Sequence, residues 1–308
     1  MFYKNTYRLK QLEEIDFPAL QELLWKVFQK KSSILSLKHK YDVSHLGLEY
    51  VSTIAYENEI PVAFYGAILQ KFKKHNQKII IAQACDSSTL KAHQGKGLHF
   101  ELAKLSYEIM QKQGITCVYA FLNENSFYST KKLDWHSHFN MLRFHIKVNT
   151  FPLAKVLNKL HINNLYFLFL NKNVSQEAIT KLTSDHKDKF QQICTPNFFA
   201  YKNRYKNHYC IEVENCVFWV KIEAIMHVGL FFAPSGVALQ KGIKKLRHKA
   251  FFFGISEILF QVGPKTNLAK QLKTIAVPKK SWHVGYLPFE KNIDLKDFKF
   301  NYSDLDTF

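Results

Sequence analysis

Apolar and polar positions along this chain follow two rhythms. Over Ile15–Lys30, Leu20, Leu23, Leu24 and Phe28 recur at helical spacing, with Asp16 placed to cap the start. Tyr50–Tyr56, Val62–Phe72 and Lys78–Cys85 instead carry the β-branched and aromatic runs of strands. The polar turn Glu57–Pro61 predicts a hairpin between the first two, and Lys73–Gln77 predicts a second turn. Ile79, Ile80 and Ile81 are consecutive, as in a strand buried on both faces. Leu98, Leu102, Leu105 and Ile109 then mark the buried stripe of a helix that Gly114 ends. A strand over Ile115–Phe121, a short helix through Leu133 and a strand over Trp135–Val148 complete the first half.

The second half repeats this order. Cys210–Glu214, Val217–Ile222 and Val228–Ala233 predict strands, Leu239–Phe253 a lysine-rich helix, and Glu257–Val262 a further strand. Leu165–Leu170 is wholly apolar but far shorter than the ~20 residues of a membrane span, so it predicts a buried strand. The pattern implies an α/β class with a mixed sheet in two domains, 1–148 and 149–308, related as a tandem duplication.

Charge narrows the partners. Forty-three Lys+Arg against 25 Asp+Glu give a net +18 over 308 residues. Such a surface attracts polyanions: nucleic acid, an anionic membrane, a phosphorylated cofactor or a nucleotide-linked substrate. A solvated basic surface with no dedicated partner fits equally well. Met1–Lys10 shows no signal-peptide pattern, and no apolar run is long enough to span a membrane. The five cysteines, Cys85, Cys117, Cys194, Cys210 and Cys216, lack metal spacing, so free thiols and a cytoplasmic location are expected. No metal is expected either. His136-Ser137-His138 is the nearest approach to a chelating pair, and solvation accounts for it equally.

The densest chemical signal is Gln94-Gly95-Lys96-Gly97-Leu98, between a predicted strand and a predicted helix. A helix start exposes backbone N–H groups with no intrahelical partner, and the helix dipole adds positive potential. Glycines let the chain approach an anion closely, so this turn is a candidate phosphate cradle.

From these residues the sequence resembles the GNAT superfamily of acyl-CoA-dependent N-acyltransferases. Gln94-Gly95-Lys96-Gly97-Leu98-His99 is similar to that family's Arg/Gln-x-x-Gly-x-Gly/Ala signature, with His99 standing where Gly or Ala is usual. Asn123 and Ser126, followed by Lys132-Leu133-Asp134-Trp135, resemble the second signature. The resemblance covers roughly Tyr50–Val148 by motif, and the rest by element order. It implies acetyl-CoA or another acyl-CoA as co-substrate, with its pyrophosphate on Gln94, Gly95, Lys96, Gly97, Leu98 and His99. It also implies a pantetheine arm between strands that splay near Cys85, with Thr89 and Asn123 as further contacts. The implied acceptor is a small-molecule amine, such as an amino sugar or nucleotide-linked sugar, in a site shaped by the second domain. Two alternatives remain: a Fem-type aminoacyl transferase using aminoacyl-tRNA, and a non-catalytic protein binding acyl-CoA or another polyanion.

Acyl transfer to an amine needs a proton acceptor and a donor for the developing oxyanion. Asp86, at the end of the central strand, is the first candidate base, with partial burial expected to raise its pKa. An Asx-turn role is the alternative. The family often places a Tyr acid where this chain has Thr130, which has no phenol, and Tyr128 is two residues out of register. His93, His99 and Cys85 fit surface or core roles as well as chemical ones. Phe198–Tyr205 interleaves aromatics with Lys202 and Arg204, which suits either nucleotide stacking or a core stripe with a basic face.

Overall fold

The computed structural model describes residues 2–4, 6–74, 77–184, 190–203, 207–291, 293–294 and 298–308. Expectations resting on His75, Asn76, Arg204 and Tyr205, and on the side chains of Ser137 and His138, lie outside the described residues. The chain forms two compact units. One comprises Met1–Phe72, Lys78–His138 and Val284–Leu295, and the other Lys73–Gln77, Phe139–His283 and Lys296–Phe308. This departs from a single cut at residue 148. Most of the strand following Trp135 pairs within the second unit, and a C-terminal stretch returns to the first.

In the first unit the strands are β1 (Phe2–Lys4), β2 (Tyr7–Gln11), β3 (Thr53–Glu57), β4 (Ile60–Lys74), β5 (Gln77–Thr89) and β6 (Cys117–Leu122). They lie side by side in that order. The pairs β1–β2, β2–β3 and β3–β4 are antiparallel, and β5 and β6 run parallel. The helices are α1 (Phe17–Phe28), α2 (Ile34–Tyr41), α3 (Leu98–Lys112) and α4 (Glu124–Lys131). Alternation along β3 and β4 sends neighbouring residues to opposite faces. Ala55, Ala63, Tyr65 and Ala67 pack with Leu98, Leu102 and Met110 of α3. Ile54, Phe64 and Ile68 pack with Phe17, Leu20, Leu23 and Leu37 of α1 and α2. The sheet is therefore covered on both sides at β3 and β4, whereas of the consecutive Ile79–Ile81 only Ile81 is fully buried. The predicted hairpin forms through Asn58 and Glu59, both at positive φ (49° and 63°), as a two-residue turn of matching twist requires.

The second unit repeats the layout. β7 (His136–Lys147) contributes residues 139–147 and is followed by α5 (Leu153–Lys159), α6 (Gln176–Ser184), β8 (Phe190–Gln192) and α7 (Pro196–Asn203). Then come β9 (His208–Val213), β10 (Cys216–Ile222), β11 (Met226–Phe232), α8 (Gly236–Phe252), β12 (Glu257–Val262), α9 (Asn267–Leu272) and β13 (Lys279–Pro288), whose residues 284–288 belong to the first unit. β9, β10 and β11 are antiparallel, β11 and β12 parallel, and β12 and β7 antiparallel. Thus β9–β10–β11–α8–β12 matches β3–β4–β5–α3–β6. Both first hairpins close on two positive-φ residues, here Glu214 and Asn215. Leu239, Ile243, Leu246 and Ala250 of α8 pack on Phe218, Val220, Ile258 and Phe260.

Leu165–Leu170 is not a buried strand. A 3-10 helix spans Asn163–Leu168, burying Asn163, Tyr166 and Leu170 and exposing the residues between. Spacings of three and four are helical, and a short apolar run does not by itself separate the two states.

Candidate functional site

The site of interest lies where β5 leads into α3. β5 is registered with parallel β6 at Ala82↔Val118 and Gln83↔Tyr119, then runs on to Thr89. A short 3-10 helix at Lys91–His93 follows, and the glycine turn delivers the chain to Leu98. Gly95 and Gly97 both sit at φ +77°, in the left-handed region that glycine occupies without strain. Gly97 is the N-cap of α3 and offers no side chain, so the first-turn amides have no side-chain cap. Four other helices are capped: Ser33, Asn123, Ser235 and Thr266 each accept a backbone N–H at the start of α2, α4, α8 and α9, whereas α1 and α5, like α3, have no side-chain cap.

The other predicted residues surround this turn in different ways. The Gln94 side chain donates to the Thr89 carbonyl (3.2 Å), closing the loop on itself. Lys96 Nζ donates to the Tyr7 hydroxyl (2.9 Å), which raises the lysine pKa, and His93 Nδ1 lies 3.1 Å from the same hydroxyl. Leu98 is buried in the core beneath α3. His99 turns inward, its ring 5.6 Å from that of Tyr65, and burial lowers its pKa, keeping it neutral. Asn123 Oδ1 accepts from the Ser126 amide (2.9 Å), so this side chain caps α4. Thr130 donates its hydroxyl to the Phe127 carbonyl (2.9 Å) and is buried, while Tyr128 stands in solvent.

Asp86 departs from expectation. Its φ of +51° kinks β5, and its carboxylate accepts from Lys40 Nζ (2.6 Å) and Tyr41 OH (2.8 Å). Burial pushes the carboxyl up, but the charge and hydrogen bond of Lys40, with the Tyr41 hydroxyl, outweigh it, and the net shift is downward. An ionised carboxylate already neutralised by an ammonium is a poor proton acceptor. Periodicity along β5 held no sign of this partnership, because both partners come from α2. Gly66 belongs to the same kink: a Cβ there would lie 2.5 Å from the Cys85 carbonyl oxygen and 2.8 Å from Tyr41 OH. A lone glycine within an apolar strand run is the signal that marks such a close approach. A buried polar chain beneath α3 also escaped the sequence. Trp135 Nε1 donates to Tyr107 OH (2.9 Å), which lies 3.1 Å from Tyr65 OH.

Lys202, the described cation of the aromatic–basic stretch, is structural. Lys202 of α7 is 1 % exposed and donates to the carbonyls of Leu305 (2.6 Å) and Phe308 (3.1 Å), so it holds chain rather than phosphate. Within this unit a cavity of about 220 Å³ opens where β11 leads into α8, lined by Leu182, Gln192, Cys194, Phe231, Thr266 and Asp304 among others. Gln192 Oε1 is buried there without a hydrogen-bond partner. Burial pushes the Asp304 carboxyl up to about 7, against the opposing pull of the Asn301 amide and Lys202.

Solved structures of the same architecture carry the comparison further. A GCN5-related N-acetyltransferase from Kribbella flavida superimposes with a TM-score of 0.58 at 9% identity, over 91% of this chain and 70% of its own. A second from Anabaena variabilis gives 0.57 at 8%, over 91% and 72%. This chain has the GNAT fold. A Saccharomyces cerevisiae N-myristoyltransferase with bound myristoyl-CoA and inhibitors gives 0.61 at 10% identity, over 93% of this chain and 81% of that one. Each GNAT match extends across both halves of the sequence, beyond the stretch that carries the motifs. No protein-family model matches the sequence, and no curated protein matches it significantly.

Proposed function

We propose that this protein is an acyl-CoA-dependent N-acyltransferase that moves an acyl group, acetyl in the first instance, to a small primary amine. One observation carries the reading: α3 opens behind two left-handed glycines with its first-turn amides uncapped, at the strand–turn–helix junction of a GNAT fold. In this reading Gln94–His99 hold the coenzyme A diphosphate through backbone N–H groups, and Lys96 adds charge by turning from Tyr7. The pantetheine arm follows β5 past its last registered pair with β6, bonding to backbone as an added strand does, with Thr89 and Asn123 beside it. The amine attacks the thioester carbonyl directly. The N–C bond forms, the C–S bond breaks, the sulfur leaves as thiolate, and the amine proton passes to solvent. Asp86 enters as the ion-pair partner of Lys40, and Thr130 supplies no proton to the thiolate.

Fold neighbours of this architecture support the class, since they are N-acetyl- and N-myristoyltransferases, one of them with myristoyl-CoA bound. The test is calorimetric titration with acetyl-CoA, followed by thiol release across a panel of amines that includes amino sugars. Binding with a dissociation constant below about a millimolar and amine-dependent thiol release are expected. No binding at millimolar acetyl-CoA overturns the reading. Binding without release favours a non-catalytic acyl-CoA-binding protein. Salt-sensitive tRNA binding without coenzyme A favours a Fem-type transferase.

A further inference from the structure

Between Phe151 and Phe169 several large apolar residues are turned outward, although Ala154 and Tyr166 are buried. Phe151 is 71 % exposed, Leu160 60 %, Leu168 62 % and Phe169 70 %. At the end of α8, Phe251 and Phe252 are exposed as well. The two stretches adjoin in the second unit. The Gly254 backbone lies so close to the start of α5 that a Cβ there would come within 2.4 Å of Leu153 Cβ and 3.1 Å of the Phe151 carbonyl. Thr150 Oγ1 donates to the Phe251 carbonyl (2.9 Å), and Tyr166 OH to the Phe253 carbonyl (2.8 Å). The Phe169 and Phe253 rings are 6.2 Å apart. Large apolar side chains exposed around one junction mark an interaction site where they form a contiguous patch.

Charge selects the occupant. Residues 149–175 hold three lysines, residues 233–256 hold four lysines and an arginine, and neither segment holds an Asp or Glu. Protein–protein interfaces favour aromatic residues but are poor in lysine. Here the combination is Phe and Leu with lysine, the composition that lies in a lipid headgroup layer. Lys172 Nζ sits 5.4 Å over the Phe167 ring, so an apolar group and a cation are presented together. Among the described residues no helix is long and apolar enough to cross a membrane.

We propose that this face docks the protein peripherally on an anionic lipid bilayer, with the exposed Phe and Leu side chains entering the headgroup–acyl boundary and the lysines meeting lipid phosphates. The proposal is independent of the acyl-CoA reading. It is tested by flotation of the full chain with vesicles of phosphatidylcholine alone or with roughly one quarter phosphatidylglycerol. Binding to the anionic vesicles, at least about tenfold weaker without phosphatidylglycerol or at about 0.5 M salt, is expected. The double variant Phe169→Ser/Phe252→Ser changes two side chains that are each 70 % exposed. It should keep its circular dichroism and melting temperature while binding anionic vesicles at least about tenfold more weakly. No flotation with anionic vesicles overturns the proposal, as does equal flotation of variant and wild type. A concentration-dependent dimer that the variant abolishes, without any lipid binding, would assign the face to a second copy instead.

Discussion

Replacing Asp86 by Asn separates two accounts of this residue. As an ion-pair partner, the carboxylate neutralises Lys40 inside a kinked strand, and its loss leaves an ammonium that is only 12 % exposed without that charge. Breaking a buried pair by removing one member costs about 3–5 kcal/mol. The Asp86 side chain is 27 % exposed, so water screens part of this and the lower end, about 3 kcal/mol, applies. In a chain of this size that lowers the melting temperature by roughly 6 °C at pH 7. The sign with pH follows from the downward shift. A depressed carboxyl contributes stability above its ordinary pKa and loses it as pH falls through the folded value. The penalty of the variant should therefore be full at neutral pH and fade in acid. Lys40→Met should cost a similar amount, and the double variant less than the sum, because neither charge is then stranded. Melting curves from acid to neutral pH, with thiol release against pH, read both accounts. A variant that melts like wild type but loses the rising limb of its pH–rate profile would refute the ion-pair reasoning and restore Asp86 as the base.

Three further outcomes are expected. Gly97→Val forces a branched side chain into a φ of +77°, at a local cost of about 1–2 kcal/mol, and crowds the α3 amides; acetyl-CoA affinity measured by calorimetry should fall at least about tenfold, and unchanged affinity would remove the turn from the site. Thr130→Val loses the hydroxyl bond to Phe127 and about 1 kcal/mol of stability, while turnover stays within a few-fold; a loss of about a thousandfold would show that the hydroxyl acts in the chemistry. Asp304→Asn removes a carboxyl held near 7, so the wild type should lose up to about 4 kcal/mol relative to the variant as pH rises from the ordinary Asp value through 7; parallel pH dependences of unfolding would show that Asp304 does not titrate this way.

The parts of this molecule that are local in sequence were readable from it. The hairpin at Asn58–Glu59, the stripe Leu98–Leu102 and the glycines of the turn each depend on neighbours within a few residues. The reverse holds where partners are distant. Asp86 was assigned a raised pKa because burial was foreseeable and Lys40, 46 residues earlier, was not. Lys202 read as a surface cation because its acceptors, the Leu305 and Phe308 carbonyls, lie over 100 positions away. Leu165–Leu170 failed differently. Hydrophobicity alone does not say which side of a residue meets the core, and Tyr166 and Leu170 face inward while Phe167, Leu168 and Phe169 do not.

The repetition of the fold within the chain sharpens the meaning of the glycine turn. Both units lay down an antiparallel pair, a further strand, a helix and a parallel strand, and in both the helix follows the third strand. At that shared position α8 starts on Ser235, whose hydroxyl takes the Ala238 amide, whereas α3 starts on Gly97 with no cap. A glycine N-cap is only a few tenths of a kcal/mol less stable than a serine one, because water reaches the bare amides. A phosphate reaches them by the same route, and the serine-capped helix has one of its donors already taken. Under the proposed reading the same topology leaves an anion site open in the first unit and partly closed in the second. Gly97→Ser is accordingly a more discriminating change than a bulky one: it supplies a cap, though at a strained φ, and should weaken acetyl-CoA binding without a matching loss of α3. If affinity instead survives a cap seen by crystallography to occupy those amides, the diphosphate is held elsewhere and the likeness of the turn to a phosphate cradle is one of shape alone.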